Sequence, residues 1–495
     1  MSAEQLTVEG CAPEVIVIGA GVTGIGVSYY LSKANIPHLV LEKSQELGGI
    51  WSSQRWPGMR CDSMIVKYSY SFRPFLSDQC LVSSETIAQY LRDAARELGM
   101  SEKIRFGVEV ARADFRSDEQ MWRVETNAGI FRARFVVNAN GYFADEPHVP
   151  AFAGREQFRG KIVHLCELDR AERGVYEGKR ILLVGSGASA ISAVTDLHQA
   201  SASLSLLQRS PSYIYETSNR PSWLVRLAQR MHRAGWKAPL HWVRSYLQLM
   251  DDLVFVGFRT WPRIGKLFFK RHWRKTISEE EYLQHFTPRY NPWEQRIPVS
   301  IGLKKLIKEK QIEVVTGEVE AFTQQGVQLK NGRTLSFDLC VLATGYEPQF
   351  FKFEVCVDGQ KVETRGINFF KGMMMGGIPN FFQPVGTLHT TWTQRTEVVA
   401  SLMVKIIRHM KRRSLGSVAI ERKEVAYRPA LKANYILRRL EDQPALYGAW
   451  ELPSVDRLLF YAFRSRHYTF TPRVGSAQPM QDPATRQLQP SAQLP

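Results

Sequence analysis

The sequence predicts an α/β fold with two doubly wound domains and an inserted helical region, and three observations lead to this prediction. A strand, a glycine turn, a helix and a second strand follow one another over residues 14–44. The same order recurs over residues 178–210. A helical, tryptophan-rich stretch then interrupts the second α/β pattern. Two such units in 495 residues indicate two domains built on parallel sheets.

Changes in pattern along the chain place the domain boundaries. Residues 123–142 predict a hairpin that returns to the first sheet, and Pro147 and Pro150 mark the crossing to the second domain. Strand and hairpin patterns resume at Gln311, and residues 397–413 predict a long helix that packs on the first domain. We expect a first domain at 1–150 and 346–473, a second at 151–217 and 296–345, an inserted basic helical region at 218–295, and a disordered tail at 474–495.

The composition is that of an ordinary globular protein, with 44% hydrophobic and 23% charged residues and no run of about twenty apolar residues. The first predicted strand begins so early that a cleavable signal would overlap the fold, so we expect an intracellular, cytoplasmic protein. Six scattered cysteines without a CxxC pair favour reduced thiols and predict neither a disulfide framework nor a metal site.

Most of the net charge of +17 lies in one segment. Residues 221–275, called the basic helical segment below, contain twelve Lys or Arg and only two acidic residues, Asp251 and Asp252. They also contain Trp223, Trp236, Trp242, Trp261 and Trp273. We expect solvated helices beside the entrance of a binding site, and such helices also allow peripheral contact with an anionic membrane. No recognition module for nucleic acid accompanies the charge, so we expect no nucleic-acid partner.

The first glycine turn predicts a dinucleotide site of the Rossmann type. Gly19, Gly21 and Gly24 form GxGxxG between a strand and a helix, so that backbone N–H groups can face a pyrophosphate. Glu42 ends the next strand, where its carboxylate can accept hydrogen bonds from both ribose hydroxyls and would repel a 2′-phosphate. This turn therefore favours FAD or NAD.

The second glycine turn is followed by a different residue type at the strand end that selects the cofactor. Gly185, Gly187 and Ala190 form GxGxxA, but the following strand ends in Gln-Arg-Ser instead of an acid. The guanidinium of Arg209 and the hydroxyl of Ser210 suit a 2′-phosphate. The two turns together predict FAD in the first domain and NADPH in the second.

Residues 48–62, GGIWSSQRWPGMRCD, resemble the GGxWxxxxxPGxxxD motif of the class B flavin monooxygenases, and among them the type I Baeyer-Villiger monooxygenases, at every fixed position. The resemblance implies that Trp51 and the turn at residues 57–58 lie along the flavin, and that Asp62 supports an active-site arginine. Residues 285–296 are similar to a Baeyer-Villiger subgroup typified by the mycobacterial ethionamide-activating monooxygenase. By this similarity Arg296 is the catalytic arginine.

A second motif leaves the chemistry open. Phe158, Gly160, His164 and Asp169 match the family fingerprint FxGxxxHxxxW(P/D), but Leu168 stands where the fingerprint has tryptophan. Flavin-containing monooxygenases that oxygenate only heteroatoms also lack that tryptophan, so the departure weakens the prediction of Baeyer-Villiger chemistry. We expect His164 to couple the domains rather than to donate a proton.

The resemblance implies an NADPH-dependent, FAD-containing monooxygenase that forms a C4a-peroxyflavin from molecular oxygen. Arg296, oriented by Asp62, would supply positive charge in a dry pocket. The enzyme would insert one oxygen atom into a small lipophilic ketone, giving an ester or lactone, or would oxygenate a sulfur or nitrogen centre. One alternative is a monooxygenase restricted to N- and S-oxygenation, and another is a non-catalytic flavin-binding interaction protein. A disulfide reductase is disfavoured because there is no CxxC.

The site prediction combines the glycine turns with the family motifs. We expect Arg296 and Asp62 to act in catalysis. The residues expected to bind the cofactors are Gly19, Gly21, Thr23, Gly24, Glu42, Gly49, Trp51, Asp62, Val110, Gly185, Ser186, Gly187, Ala188, Ser189, Ala190, Arg209 and Ser210.

Overall fold

The computed structural model describes residues 13–385, 391–423, 444–447 and 464–474. The tail predicted at 474–495 lies outside the described residues except for Val474, as do Cys11 and parts of the predicted domain portion 346–473. Within the described ranges, no helix has both the length and the apolar composition needed to cross a bilayer.

A five-stranded parallel sheet forms the centre of the first domain. Its strands, in spatial order, are Phe381–Phe382, Phe135–Asn138, Val15–Ile18, His38–Glu42 and Ile104–Phe106. Side chains of a strand alternate between the two faces of a sheet. Val15 and Val17 accordingly pack with helices, while Ile16 and Ile18 pack with a second sheet.

Two layers cover this central sheet. On one face lie the helices Val22–Lys33, Ser84–Glu97 and Trp392–Arg412. On the other lies a mixed sheet of Gln360–Lys361, Glu354–Val357, Val110–Arg116, Met121–Thr126 and Gly129–Ala133. The hairpin predicted at 123–142 is present, and its chain continues into the central sheet as Phe135–Asn138.

The long helix predicted at residues 397–413 begins five residues earlier than expected, at Trp392, and ends at Arg412. Its first turns are polar in sequence, so apolar periodicity does not predict them. Thr393, Arg395 and Thr396 are nevertheless buried, because this end of the helix lies against the first domain.

A second five-stranded parallel sheet contains the second glycine turn. Its strands, in spatial order, are Ile312–Thr316, Ser203–Gln208, Arg180–Val184, Leu339–Leu342 and Lys161–His164. The helices Ala188–Ala200 and Leu303–Lys308 pack on it, and Val319–Thr323, Gly326–Leu329 and Thr334–Ser336 form an antiparallel sheet beside it. The chain crosses between the domains through Phe143–Pro147 and Tyr346–Pro348, which pair antiparallel.

The basic helical segment folds into the helices Trp223–Arg233, Ala238–Thr260 and Pro262–Trp273, and Glu279–His285 follows. In sequence it separates two strands that are neighbours in the second parallel sheet. In space it also packs on the first domain, where Asp251 pairs with Lys67 and Arg244 lies 3.7 Å from Glu397.

The remaining elements are short. They are the helices Ile50–Ser53 and Ile65–Tyr68, the 3-10 turns Ser101–Lys103, Arg155–Gln157, Leu165–Glu167, Arg173–Val175 and Ser465–His467, and the strands Tyr215–Glu216, Val299–Ser300, Asn368–Phe370, Met374–Met375, Leu415–Ala419, Ala445–Tyr447 and Thr469–Pro472.

Candidate active site

A cavity of about 1470 Å³ lies at the carboxyl ends of strands from both parallel sheets, where ligands bind in doubly wound folds. Most of the predicted cofactor residues line it, as do both predicted catalytic residues. The lining residues among them are Gly19, Gly21, Thr23, Glu42, Gly49, Trp51, Asp62, Val110, Gly185, Ser186, Gly187, Ala188, Ser189, Arg209, Ser210 and Arg296. Gly24 and Ala190 do not line it.

The first glycine turn brings strand, turn and helix into backbone contact. Gly19 has a φ of +104°, and a Cβ atom there would lie 2.8 Å from the carbonyl oxygen of Ala139. A Cβ atom on Gly24 would lie 1.9 Å from the carbonyl oxygen of Gly19. Gly24 therefore permits the helix to approach the turn and is not part of the cavity wall, and its contact with a cofactor stays a prediction. The N-terminus of Val22–Lys33 is left facing the cavity.

The carboxylate of Glu42 is buried and held in one orientation. Its Oε2 accepts a hydrogen bond of 2.6 Å from the backbone N–H of Ala20, and its Oε1 accepts one of 2.9 Å from that of Ser44. Oε1 also accepts a hydrogen bond of 2.6 Å from the Ser44 hydroxyl, which leaves the free acceptor position on Oε2. Glu42 also lines the cavity, so a ribose bound to the first turn would meet a fixed acceptor.

The second glycine turn repeats this geometry. Gly185 has a φ of +137°, and a Cβ atom there would lie 2.5 Å from the carbonyl oxygen of Ala343. Ala190 is fully buried between helix and sheet and does not line the cavity, and its contact with a cofactor stays a prediction. Arg209 and Ser210 are exposed at the cavity, and Arg209 forms no ion pair with the part of the chain described here.

Arg296 and Asp62 meet at the cavity although 234 residues separate them. Nε and Nη2 of Arg296 donate hydrogen bonds of 3.0 and 2.5 Å to the same oxygen, Oδ2, of Asp62. Both side chains remain accessible, at 40% for Arg296 and 22% for Asp62. The pair therefore presents an oriented guanidinium to the cavity.

The motif residues of the first domain have two different surroundings. Trp51 lines the cavity and donates a hydrogen bond of 2.7 Å from Nε1 to the Tyr68 hydroxyl, whose pKa burial raises well above its ordinary value. The turn at residues 57–58 does not line the cavity, and its expected place along the flavin stays a prediction. A Cβ atom on Gly58 would lie 2.5 Å from the carbonyl oxygen of Ser192, so this turn packs on the helix Ala188–Ala200.

His164 is buried where the two domains meet. Burial lowers the pKa of His164 to about 4, so the imidazole is neutral at physiological pH and is a poor proton donor. Its ring lies 5.8 Å from that of Tyr346, whose hydroxyl accepts a hydrogen bond of 2.6 Å from Gln54. This chain of contacts joins the second parallel sheet to the GGxW segment.

Several residues of the cavity wall were missed by the sequence reasoning. Prominent among them are Gln54, Arg60, Tyr68, Asn140, Tyr346, Thr391 and Trp392. Asn140 lies two residues beyond the end of Phe135–Asn138 in the parallel sheet, and that position is a signal that could have identified it. Thr391 and Trp392 come from a distant helix start and carry no comparable local signal.

Comparison with known proteins gives one family match and several relatives. A family model described as pyridine nucleotide-disulphide oxidoreductase matches residues 16–237. FAD-containing monooxygenase EthA of Mycobacterium tuberculosis is 31% identical over 451 residues, which covers 87% of this chain and 90% of that protein. Probable FAD-binding monooxygenase AlmA of Acinetobacter sp is 29% identical, with 87% of this chain and 89% of that protein covered. These relatives confirm the resemblance that residues 48–62 indicate.

Solved structures support the fold independently of sequence. A structure described as oxidized steroid monooxygenase bound to NADP has a TM-score of 0.74 at 20% identity, covering 93% of this chain and 100% of that chain. A closed crystal structure of cyclohexanone monooxygenase has a TM-score of 0.72 at 18% identity, with the same coverage. At such identities the likeness establishes the fold, and it confirms the predicted α/β class with two Rossmann-type domains.

Proposed function

The chain belongs to the family of FAD-containing monooxygenases, and we propose that it oxidises NADPH and transfers one atom of molecular oxygen to a lipophilic substrate. The observation that carries this proposal is a single cavity that both glycine turns and the Arg296–Asp62 pair line together. In the balanced reaction, substrate, oxygen, NADPH and a proton give the oxygenated substrate, water and NADP⁺. Two electrons of the substrate and two of NADPH reduce the oxygen.

The residues of the first turn fit FAD. A helix N-terminus and glycine backbone suit a pyrophosphate, and the held carboxylate of Glu42 suits ribose hydroxyls. FAD, when bound, takes a hydride from NADPH and makes the electrons available to oxygen. Arg209 and Ser210 at the second turn offer a charge and a hydroxyl to a 2′-phosphate, which favours NADPH over NADH.

Arg296 supplies a permanent positive charge to the cavity. A guanidinium stays protonated at all physiological pH values, so it can stabilise negative charge that develops during oxygen transfer. Asp62 fixes the direction of the guanidinium through two hydrogen bonds to one oxygen atom. In this proposal Arg296 is a catalytic residue and Asp62 is a positioning residue.

The cavity wall also favours a lipophilic substrate. Trp51, Tyr68, Tyr346 and Trp392 contribute aromatic surface to it, and such surface excludes water from the reacting groups. Ketone oxidation and heteroatom oxygenation both remain part of the proposal, since Leu168 does not distinguish between them. An intracellular location and peripheral membrane contact likewise remain predictions.

The test is NADPH and oxygen consumption by the holoenzyme across a panel of ketones and thioethers, with products identified by mass. An ester or lactone from a ketone establishes Baeyer-Villiger oxidation. S-oxides of the thioethers alone establish the heteroatom-only monooxygenase. A yellow protein that consumes neither NADPH nor oxygen would refute the enzymatic proposal in favour of a flavin-binding interaction protein.

A further inference from the structure

We propose that an exposed face of the basic helical segment docks onto an anionic membrane. This docking face is defined by the exposed apolar side chains of the three helices and of the connections between them, together with the exposed basic residues among them. The apolar members are Trp223, Leu227, Trp236, Trp242, Tyr246, Leu249, Leu253, Val254, Val256, Trp261, Ile264, Leu267 and Phe268.

The helix Ala238–Thr260 has an apolar stripe on its solvent side. Trp242, Tyr246, Leu249, Leu253 and Val256 follow one another at intervals of four and three residues, which places them on one helical face. All five side chains are exposed. A surface helix of a soluble protein normally presents polar residues to solvent, so this helix presents the wrong face for contact with water alone.

The other side of the same helix already has its partners. Val243 is buried in a cluster that joins the segment to Val66 of the first domain, and Phe255 packs edge to face on Trp293 with ring centroids 5.5 Å apart. The exposed stripe is therefore in addition to a complete packing face, and its exposure does not result from a helix that is poorly docked.

Tryptophan exposure points in the same direction. Four of the five tryptophans in the segment are between 61% and 72% exposed, and only Trp273 is buried. Tryptophan is on average a highly buried residue in soluble proteins, but it is enriched where a protein meets the headgroup region of a bilayer. Four exposed tryptophans within forty residues indicate a surface that meets an interface.

The charge of the docking face matches anionic lipid. Ten of the twelve Lys and Arg residues of the segment are exposed, and the exceptions are Arg244 and Lys270. Both acidic residues are directed to other partners, since Asp251 pairs with Lys67 and Asp252 is buried beside Gln248. Exposed basic residues among apolar ones are the combination that binds negatively charged membrane surfaces.

Two other partners fit this face less well. Nucleic acid would match the charge but would leave the aliphatic stripe of Leu249, Leu253 and Val256 without a counterpart. A second copy of the chain would cover the stripe but would bring two strongly basic segments together, and like charges repel. Anionic lipid satisfies both the charge and the apolar area.

Docking in this way would hold the candidate active site close to the membrane. Phe255 faces Trp293, three residues before Arg296, while the stripe lies on the other side of the same helix. One helix diameter, about 10 Å, therefore separates the docking face from the segment that carries Arg296.

The experiment is co-flotation of the holoenzyme with vesicles of pure phosphatidylcholine or of phosphatidylcholine mixed with phosphatidylglycerol, at physiological salt. We expect flotation with the mixed vesicles only. Combining Trp242→Ser, Leu249→Ser and Leu253→Ser should lower partitioning at least about tenfold through the lost apolar contact. Combining Arg263→Glu and Lys266→Glu should lower it by a similar factor, since each basic residue near such a surface contributes about fivefold.

Matched controls lie outside the segment. Leu283→Ser removes a side chain that is 58% exposed, and Lys305→Glu with Lys308→Glu reverses two exposed charges on the second domain. Both controls should float like the unmodified protein. NADPH oxidation with a water-soluble thioether is measured for every variant, so that a failure of docking is distinguishable from a failure of the proposed function.

Four results would overturn the proposal. The unmodified protein could remain unbound to mixed vesicles, or the controls could lose binding as strongly as the docking-face variants. A dimer that forms without lipid and dissociates in the serine variant would assign the face to a second copy. Retardation of an RNA oligonucleotide without flotation would assign it to nucleic acid.

Discussion

Replacing Asp62 by alanine tests the catalytic part of the proposal most directly. Asp62 Oδ2 accepts two hydrogen bonds from Arg296, at 3.0 and 2.5 Å, and the substitution removes both at once. The guanidinium keeps its charge but loses the contact that directs it. We therefore expect FAD binding to persist while oxygen transfer to the substrate becomes inefficient.

The size of the effect follows from the geometry and the exposure of the pair. A hydrogen bond to a charged group contributes about 1.5–3 kcal/mol when it is buried. Arg296 is 40% and Asp62 is 22% exposed, so water screens their interaction and the low end applies. A loss of about 1–2 kcal/mol corresponds to about a 5- to 30-fold lower rate of product formation.

The assay measures NADPH consumption, oxygenated product and released hydrogen peroxide for the same reaction. Asp62→Ala should lower kcat for product and raise the peroxide fraction, with little change in KM for NADPH. Asp62→Glu should recover part of the yield of oxygenated product per NADPH consumed, because a carboxylate is restored. Arg296→Ala should retain FAD and lose the oxygenated product.

Asp338→Asn is the matched control for this prediction. Asp338 also pairs with an arginine, at 2.7 Å from Nη2 of Arg180, but it precedes its strand at the amino end, away from the cavity. The product-to-peroxide ratio of the Asp338→Asn variant should stay unchanged. If Asp62→Ala forms as much oxygenated product per NADPH consumed as the unmodified protein, the Arg296–Asp62 pair has no role in the mechanism. If Asp338→Asn releases as much peroxide as Asp62→Ala, the effect is a general loss of stability.

Three further predictions concern the cofactor turns and the core. Arg209→Ala should lower the preference for NADPH over NADH by tenfold or more in kcat/KM, and an unchanged preference would contradict the phosphate assignment. Gly185→Ala, whose Cβ would lie 2.5 Å from a carbonyl oxygen, should raise KM for NADPH and retain FAD, whereas Gly174→Ala, with open space around it, should change neither. Burial lowers the pKa of His38 from 6.5 to about 4, so the unfolded chain binds the extra proton and stability should fall as pH drops from 6.5 towards 4, by about 2 kcal/mol at pH 5. Thermal unfolding at pH 7 and pH 5 should show a smaller difference for His38→Gln, and an equal difference would refute this origin.

The two dinucleotide turns could be predicted from residues that lie close together in the chain. The spacing of Gly19, Gly21 and Glu42 is contained within one strand–helix–strand unit, and the structure indeed brings these residues to one cavity. Arg209 was predicted in the same way, because it follows the corresponding strand of the second unit. These positions depend only on neighbours in the chain, so the sequence sufficed to predict that they lie at one cavity, while their contacts with the cofactors stay predictions.

Contacts between distant segments were decided by the tertiary structure. Asp62 and Arg296 could be paired in advance only through the family resemblance, since nothing local relates positions 234 residues apart. The turn at residues 57–58 packs on the second domain instead of along the cavity. A sequence motif does not show which part of the chain a turn packs against.

The helix Ala238–Thr260 shows most clearly which features the sequence determines and which depend on tertiary packing. Its sequence determined a helix with two apolar faces, at Val243 and Phe255 on one side and at Trp242 and Leu249 on the other. Periodicity states which residues share a face but not which face the protein covers. Only the packing against Val66 and Trp293 decided that the tryptophan face stays exposed, because burial depends on what the rest of the chain places beside the helix.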